Sequence, residues 1–358
     1  MARALELAES SDRFATAPNP QVACLLVKNN RLVASTVHER FGGPHAEALA
    51  LAKAGSKAKG ATAYVTLEPC GHTDKKTPPC TPALITAGIR RVVLACRDEN
   101  PRVSGNSLRQ LKKAGILVTE NVQSVRALQL YRFFFHWIRT HKPWVTLTMA
   151  SSLDGKITAQ KKNLSNAAAL RHVQRLRASH DAILVGKNTI RKDDPRLTVR
   201  KKGKATHRQP LRVILDSKLE LDSHFRVFHN GPVLVACTRA APKKKKDELT
   251  DAGINVWVSP RSDKSRVPFG ELFTELGRRG IRSVLVEGGA NVATALLEKR
   301  QVDEAYFDVT PWLSGPKAIP LYSGRPLHLR NAHIAIMDDN AIFHVRFRRP
   351  GQTPPASK

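Results

Sequence analysis

A chain of 358 residues, 41% hydrophobic and 25% charged, is long enough for two folded domains and has the composition of an ordinary globular protein. It contains no run of 18 apolar residues, which excludes a helical membrane span, and its N-terminal residues lack the apolar stretch of a secretory signal. The net charge is +29, but residues 1–140 carry 20 Lys/Arg against 10 Asp/Glu and the other 218 residues carry +19, so no basic tail accounts for it. That balance suits nucleic acid, anionic small substrates or a well-solvated surface. Five cysteines, odd in number and unevenly placed, do not make a disulfide framework and fit a reducing cytoplasm.

Residues 2–14 read as an amphipathic helix. Residues 22–27 and 32–37 read as a strand pair turning at Lys28-Asn29-Asn30. A helix over 44–54 and a strand over 63–67 follow. Residues 81–87 read as helix, 91–96 as strand, 108–114 as helix up to Gly115, and 116–119 as strand. An aromatic-rich helix over 123–140 stops before Pro143, and the domain boundary is placed there: residues 1–142, then 143–348, with 349–358 as a disordered tail. In the second domain residues 144–149 read as strand and Ser152-Leu153-Asp154-Gly155 as a turn. A helix over 167–178 follows, with strands at 182–185, 213–215 and 233–236. Residues 283–286 read as strand, running through Glu287-Gly288-Gly289 into a helix over 291–299. Lys243 to Lys246 reads as a solvated loop. Alternation of strands and helices makes both domains α/β.

The chemistry is concentrated in His45-Ala46-Glu47, Pro69-Cys70 and Pro78-Pro79-Cys80. One imidazole and two thiolates make three ligands for Zn2+ and leave a fourth position open, the pattern of a catalytic rather than a structural zinc site. Zinc-dependent nucleobase deaminases use that donor set, with a non-ligand glutamate as acid and base. Glu47 is the expected catalytic residue, and His45, Cys70 and Cys80 are the expected metal ligands. Pro44 is expected to open the helix, with His45 and Glu47 in its first turn. Cys24, Cys96 and Cys237 read as inert core thiols. Nine residues separate Cys70 from Cys80, whereas nucleic-acid and free-nucleoside deaminases carry Cys-x-x-Cys. The wide spacing and the even spread of charge argue against a nucleic-acid deaminase or binding protein.

These motifs resemble the bifunctional riboflavin-biosynthesis family that joins a diaminohydroxyphosphoribosylaminopyrimidine deaminase to a 5-amino-6-(5-phosphoribosylamino)uracil reductase. The resemblance runs through Pro18-Asn19-Pro20, Thr66-Leu67-Glu68-Pro69-Cys70, Asp98-Glu99-Asn100-Pro101, Ser152-Leu153-Asp154-Gly155, Asp193-Asp194-Pro195, Asp216-Ser217 and Glu287-Gly288-Gly289, about residues 1–345. It implies a cytidine-deaminase-like α/β/α sandwich followed by a dihydrofolate-reductase-like α/β domain. It also implies a phosphorylated pyrimidine substrate and NADPH as second cofactor; a homo-oligomer is compatible with the sequence, which does not set the oligomeric state. Asn19 and His38 would hold the pyrimidine. Ala150, Thr189, Asp193, Ser217, Gly288, Gly289, Ala290 and Asn291 would bind NADPH. Arg177, Leu197, Arg200 and Glu287 would contact the reductase substrate. No Gly-x-Gly-x-x-Gly element supports a Rossmann alternative.

Two features depart from the family pattern in the second domain. A usual lysine four residues before Ser-Leu-Asp-Gly is Thr148 here, and the tryptophan-bearing loop expected near residues 158–165 is shorter and lacks its tryptophan. Lys161 or Lys162 is a candidate replacement cation. The departures leave open a deaminase whose reductase domain is a degenerate scaffold.

Overall fold

The computed structural model describes all residues except 72–77, 101–102, 158–163, 202, 262–265 and 348–358. The shortened loop with Lys161 and Lys162, and the expected tail at 349–358, lie outside the described residues. The chain divides into two compact units, Met1–His141 and Lys142–Lys358. Among the described residues no helix is long and apolar enough to cross a membrane.

The first unit opens with α1 (Ala2–Ser10) and α2 (Arg13–Thr16); the break between them is made by Asp12, whose carboxylate accepts from the amides of Phe14 and Ala15 and caps the second helix. Strands β1 (Ala23–Lys28) and β2 (Arg31–Val37) form a hairpin across Asn29 and Asn30. Both asparagines take positive φ, 49° and 59°, as a tight two-residue turn between right-twisted strands requires. Then come α3 (Ala46–Ala54), β3 (Thr62–Val65), α4 (Cys80–Thr86), β4 (Arg91–Leu94), α5 (Asn106–Lys113), β5 (Leu117–Thr119) and α6 (Ser124–Thr140). The sheet order is β2-β1-β3-β4-β5, with β3, β4 and β5 parallel and β1 antiparallel to both its neighbours. One apolar cluster sits under α3, α4 and α5. A second, built from Tyr131, Phe134 and Phe135 of α6 with Leu5, Leu67 and Ala95, lies under α1 and α6.

The second unit contains β6 (Trp144–Ser152), α7 (Ala167–Ser179), β7 (Ala182–Gly186), α8 (Lys187–Asp193), the short hairpin β8 (Arg200–Lys201) and β9 (Lys204–Ala205), then β10 (Leu211–Leu215) and β11 (Val233–Cys237). It continues through α9 (Lys243–Asp251), β12 (Asn255–Val258), α10 (Phe269–Arg278), β13 (Ser283–Val286), α11 (Ala290–Glu298), β14 (Glu304–Thr310), β15 (His333–Met337) and β16 (Asn340–Arg346). The nine-stranded sheet has the order β12-β11-β10-β7-β13-β6-β14-β16-β15, parallel from β12 to β14 and antiparallel at the β14-β16-β15 edge. The central strands β7 and β11 are apolar without interruption because both faces of the sheet are covered there. In β11, Leu234 and Ala236 face one core with Leu272 and Leu296, while Val233, Val235 and Cys237 face another with Ile190 and Leu249.

Two expectations are corrected. Lys243 to Lys246 is the first part of α9 rather than a loop. Leu249 is buried and anchors the helix, while Lys245 pairs with Asp222 and Glu248 and the other lysines stay in water, where their repulsion is small. His45 is the residue that caps α3 rather than a member of its first turn: its backbone is extended (φ −73°, ψ 161°), and the first helical hydrogen bond, from the Leu49 amide, already ends on its carbonyl.

Candidate active site

The parallel strands β3 and β4 end at one edge of the first unit, and the chemical groups collect there. Beyond β3 the chain runs through Glu68 and Pro69 to Cys70, and α4 starts at Cys80 with Pro79 as its cap. Across from them α3 begins, holding His45 at its cap and Glu47 in its first turn. His45 Nδ1 lies 3.5 Å from Cys70 Sγ and 3.3 Å from Cys80 Sγ, and the three donor atoms lie within 4.8 Å of one another. Tetrahedral zinc with ordinary Zn–N and Zn–S lengths sets nitrogen and sulfur about 3.6 Å apart, so the trio fits that ion. The Cys80 amide donates to Cys70 Sγ at 3.3 Å, which supports negative charge on the sulfur.

A cavity of about 400 Å³ opens onto His45 and Cys70 of this trio. Glu47, 3% exposed, lines it, and burial pushes its carboxyl above the usual range, with Cys70 adding to the effect and His45 opposing it. His38 Nδ1 lies 3.0 Å from the Pro44 carbonyl, which can only accept; the ring therefore carries its proton on Nδ1 and offers Nε2 as acceptor to the Asn19 amide at 3.4 Å. The two residues expected to hold the pyrimidine thus form a coupled pair on the wall, and His38 meets His45 edge to face. The cavity also takes in Glu68, Asp98, Asn100, Phe134 and Trp137, none of them singled out above as site residues. Asp98 and Asn100 sit in a quoted motif, which was the available signal. Phe134 and Trp137 belong to the aromatic-rich helix over 123–140, where nothing in the sequence marked them as facing a cavity. Burial raises Asp98 to about 6, with Glu68 among the charges that add to it. Cys24, Cys96 and Cys237 are buried, and burial raises all three thiols.

The second unit has its own cavity, about 1260 Å³, along the carboxyl ends of β7, β10 and β13, where open α/β sheets bind ligands. Ala150, Arg177, Thr189, Asp193, Leu197, Ser217, Glu287 and the turn from Gly288 to Asn291 all border it. Arg200 does not: it lies exposed on β8, its amide held by Gln174 Oε1 at 2.9 Å. Gly288 packs so closely on α11 that a Cβ there would stand 2.9 Å from Val292 Cβ, so any larger residue would force the turn or α11 to shift. The Gly288–Gly289 turn leads into the first turn of α11, whose residues Ala290 and Asn291 border the same cavity, a helix start of the kind that suits phosphate. Thr148 also borders the cavity, as do Lys187, Lys192 and Lys218, which no motif in the sequence marked.

A His/Cys/Cys metal centre with a buried glutamate, in an α/β domain followed by a second α/β domain with a large anion-compatible cleft, defines a zinc-dependent deaminase joined to a reductase. Residues 1–96 match the cytidine and deoxycytidylate deaminase zinc-binding region, and residues 143–342 match the RibD C-terminal domain. The riboflavin biosynthesis protein RibD of Bacillus amyloliquefaciens is 40% identical over 330 residues, covering 90% of this chain and 87% of its own. A solved structure of Acinetobacter baumannii RibD superposes with a TM-score of 0.83 at 35% identity, covering 96% of this chain and 97% of its own. A solved Thermotoga maritima protein, named a diaminohydroxyphosphoribosylaminopyrimidine deaminase/5-amino-6-(5-phosphoribosylamino)uracil reductase, gives 0.81 at 34% identity and covers 97% of each chain. The chain belongs to the RibD family of bifunctional riboflavin-biosynthesis deaminase/reductases.

Proposed function

We propose that the first unit deaminates the diaminohydroxyphosphoribosylaminopyrimidine named for the Thermotoga relative, and that the second reduces the ribosyl chain of the resulting 5-amino-6-(5-phosphoribosylamino)uracil with NADPH. The observation that carries the first step is the buried Glu47 carboxyl in the same cavity as His45 and Cys70, with Cys80 completing the donor set. Zinc, when bound, supplies the Lewis acidity that makes water nucleophilic near neutral pH. The buried Glu47 carboxyl would carry two protons from the attacking water, one to the ring nitrogen and one to the amino group that leaves as ammonia, a shuttle suited to a carboxyl that burial has raised. The new C–O bond replaces the C–N bond, and ammonia leaves. His38 and Asn19, fixed by the Pro44 carbonyl, orient the ring.

For the second step, the Gly288–Gly289 turn and the start of α11 would receive the cofactor's phosphates, and NADPH would supply hydride. The cations Lys187, Lys192 and Lys218 on the cleft would attract a cofactor and a substrate that are both anionic. Reduced thiols at the metal centre fit a cytoplasmic setting.

A two-stage assay tests the proposal: purified protein receives the diaminopyrimidine, and ammonia release and nicotinamide oxidation are scored separately. Both signals are expected in that order. Ammonia without nicotinamide oxidation, even on direct supply of the uracil intermediate, removes the second half.

A further inference from the structure

The side chain of Glu68 lies in the deaminase cavity, yet the chemistry above leaves it without a task. It is 4% exposed and sits two residues before Cys70, at the point where the chain leaves β3. Its own amide donates to the Cys96 carbonyl at 3.1 Å, continuing the pairing of β3 with β4 beyond the strands. Its carboxylate accepts three hydrogen bonds from two further segments. Oε2 accepts from the Asp98 amide at 3.2 Å; Oε1 accepts from the Gly105 amide at 2.8 Å and from the buried Ser107 hydroxyl.

Those partners matter because of what they carry. Asp98 Oδ1 in turn accepts the Asn100 amide at 2.8 Å, and Asp98, Asn100 and Val103 all line the cavity. Gly105 caps α5 in a left-handed conformation (φ 73°), and Ser107 lies in the first turn of that helix, where a carboxylate also meets the positive end of the helix dipole. One buried carboxylate therefore ties the Cys70 strand end, the Asp98–Asn100 turn and the start of α5 into one wall. With both oxygens engaged by these donors, it acts through its partners.

We propose that Glu68 is a positioning residue of the deaminase site, holding the Asp98–Asn100 wall at a set distance from the metal-binding strand end and so fixing how the pyrimidine is received. This deepens the deaminase reading and rests on it for its kinetic arm. Three variants test it: E68A, which removes all three bonds; E68Q, which keeps the shape and turns an amide toward the Asp98 amide; and S107A, which removes one bond. Measured for each are zinc per chain, amide hydrogen exchange at Asp98 and Gly105, and KM and kcat for ammonia release from the diaminopyrimidine.

The expected result is full zinc content, faster exchange at both amides in E68A and a KM raised about tenfold, comparable to the loss of one hydrogen bond, with kcat changed less than about threefold. S107A shifts KM the same way by less, and E68A/S107A matches E68A, because the Ser107 bond is already gone. If E68A does not fold, E68Q decides alone: exchange should quicken at Asp98 and KM should rise. An unchanged KM, or a fall in kcat with KM and exchange unaltered, overturns the proposal. If wild-type protein releases no ammonia, the deaminase reading fails, while the exchange measurements still decide whether Glu68 holds the wall.

Discussion

Arg177 and Glu287 meet as a two-point ion pair: Arg177 Nε and Nη2 stand 2.7 and 2.6 Å from the two carboxylate oxygens, and the side chains are only 12% and 14% exposed. The same guanidinium donates through Nη1 to the Thr198 carbonyl at 3.2 Å, so α7 is tied both to the end of β13 and to the chain beyond α8. Both residues were expected to meet the reductase substrate, and in this structure each holds the other. Glu287→Gln leaves the largely buried Arg177 without its counter-charge and is expected to cost about 3 kcal/mol of stability. Thermal unfolding with and without the substitution measures this; an unchanged melting temperature contradicts it.

At the metal centre, Glu47→Gln should retain zinc and lower ammonia release by about 10²–10⁴-fold, the usual worth of a positioned acid/base. Cys80→Ser should lose the metal as well. Zinc per chain by emission spectroscopy, read beside ammonia release, separates the two; a Gln variant with normal turnover contradicts the proton role of Glu47.

Chelation should divide the two activities. Removing zinc takes away the Lewis acid beside His45, Cys70 and Cys80, whereas the donors of the second cavity are backbone amides, hydroxyls and cations that need no zinc. Dialysis against a chelator should therefore abolish ammonia release and leave nicotinamide oxidation, with the uracil intermediate supplied directly, unchanged.

Asp154 predicts an acid-sensitive turn. The Ser152 hydroxyl, followed by the Ser314 and Gly315 amides at 3.0 and 2.8 Å, holds its carboxyl down at about 2, against 3.8 when free. The folded value lies below the unfolded one, so the stabilisation is present above about pH 4 and is lost as pH falls through about 2. Amide chemical shifts of Ser314 and Gly315 should titrate in that window in the wild type, and not in Asp154→Asn.

Thr148 borders the reductase cavity where the family pattern has lysine. If the missing cation limits the second reaction, Thr148→Lys should raise kcat/KM for the phosphorylated uracil several-fold and steepen its loss with salt. A variant with unchanged kinetics shows that the neighbouring cations already suffice.

The convergence of His45, Cys70 and Cys80 on one spot was legible in the sequence because zinc chemistry restricts residue types severely: few side chains bind zinc, and the bracketing prolines and helix starts mark where they sit. The α/β class and the central strands were equally legible, since strands such as β7 and β11, buried on both faces, are apolar without interruption. The antiparallel edge β14-β16-β15 was not read. Its outer strand β15 leaves Ile334 and Ile336 exposed, so no alternation of buried and solvated positions marks it. Nor was the short α8 read, where Thr189 and Asp193 turned out to lie.

What the sequence determined by itself was identity of chemistry, carried by local residue types at readable spacings: the donor set, the glutamate and the glycine pair before α11. Tertiary structure alone decided which distant groups meet. His45 became a helix cap, Phe134 and Trp137 became cavity wall, Arg177 took Glu287 as its partner, and Glu68 gathered amides from 30 and 37 residues away. Such pairings depend on the packing of strands and helices that bring remote segments within hydrogen-bonding reach, and residue order along the chain contains no distance of that kind.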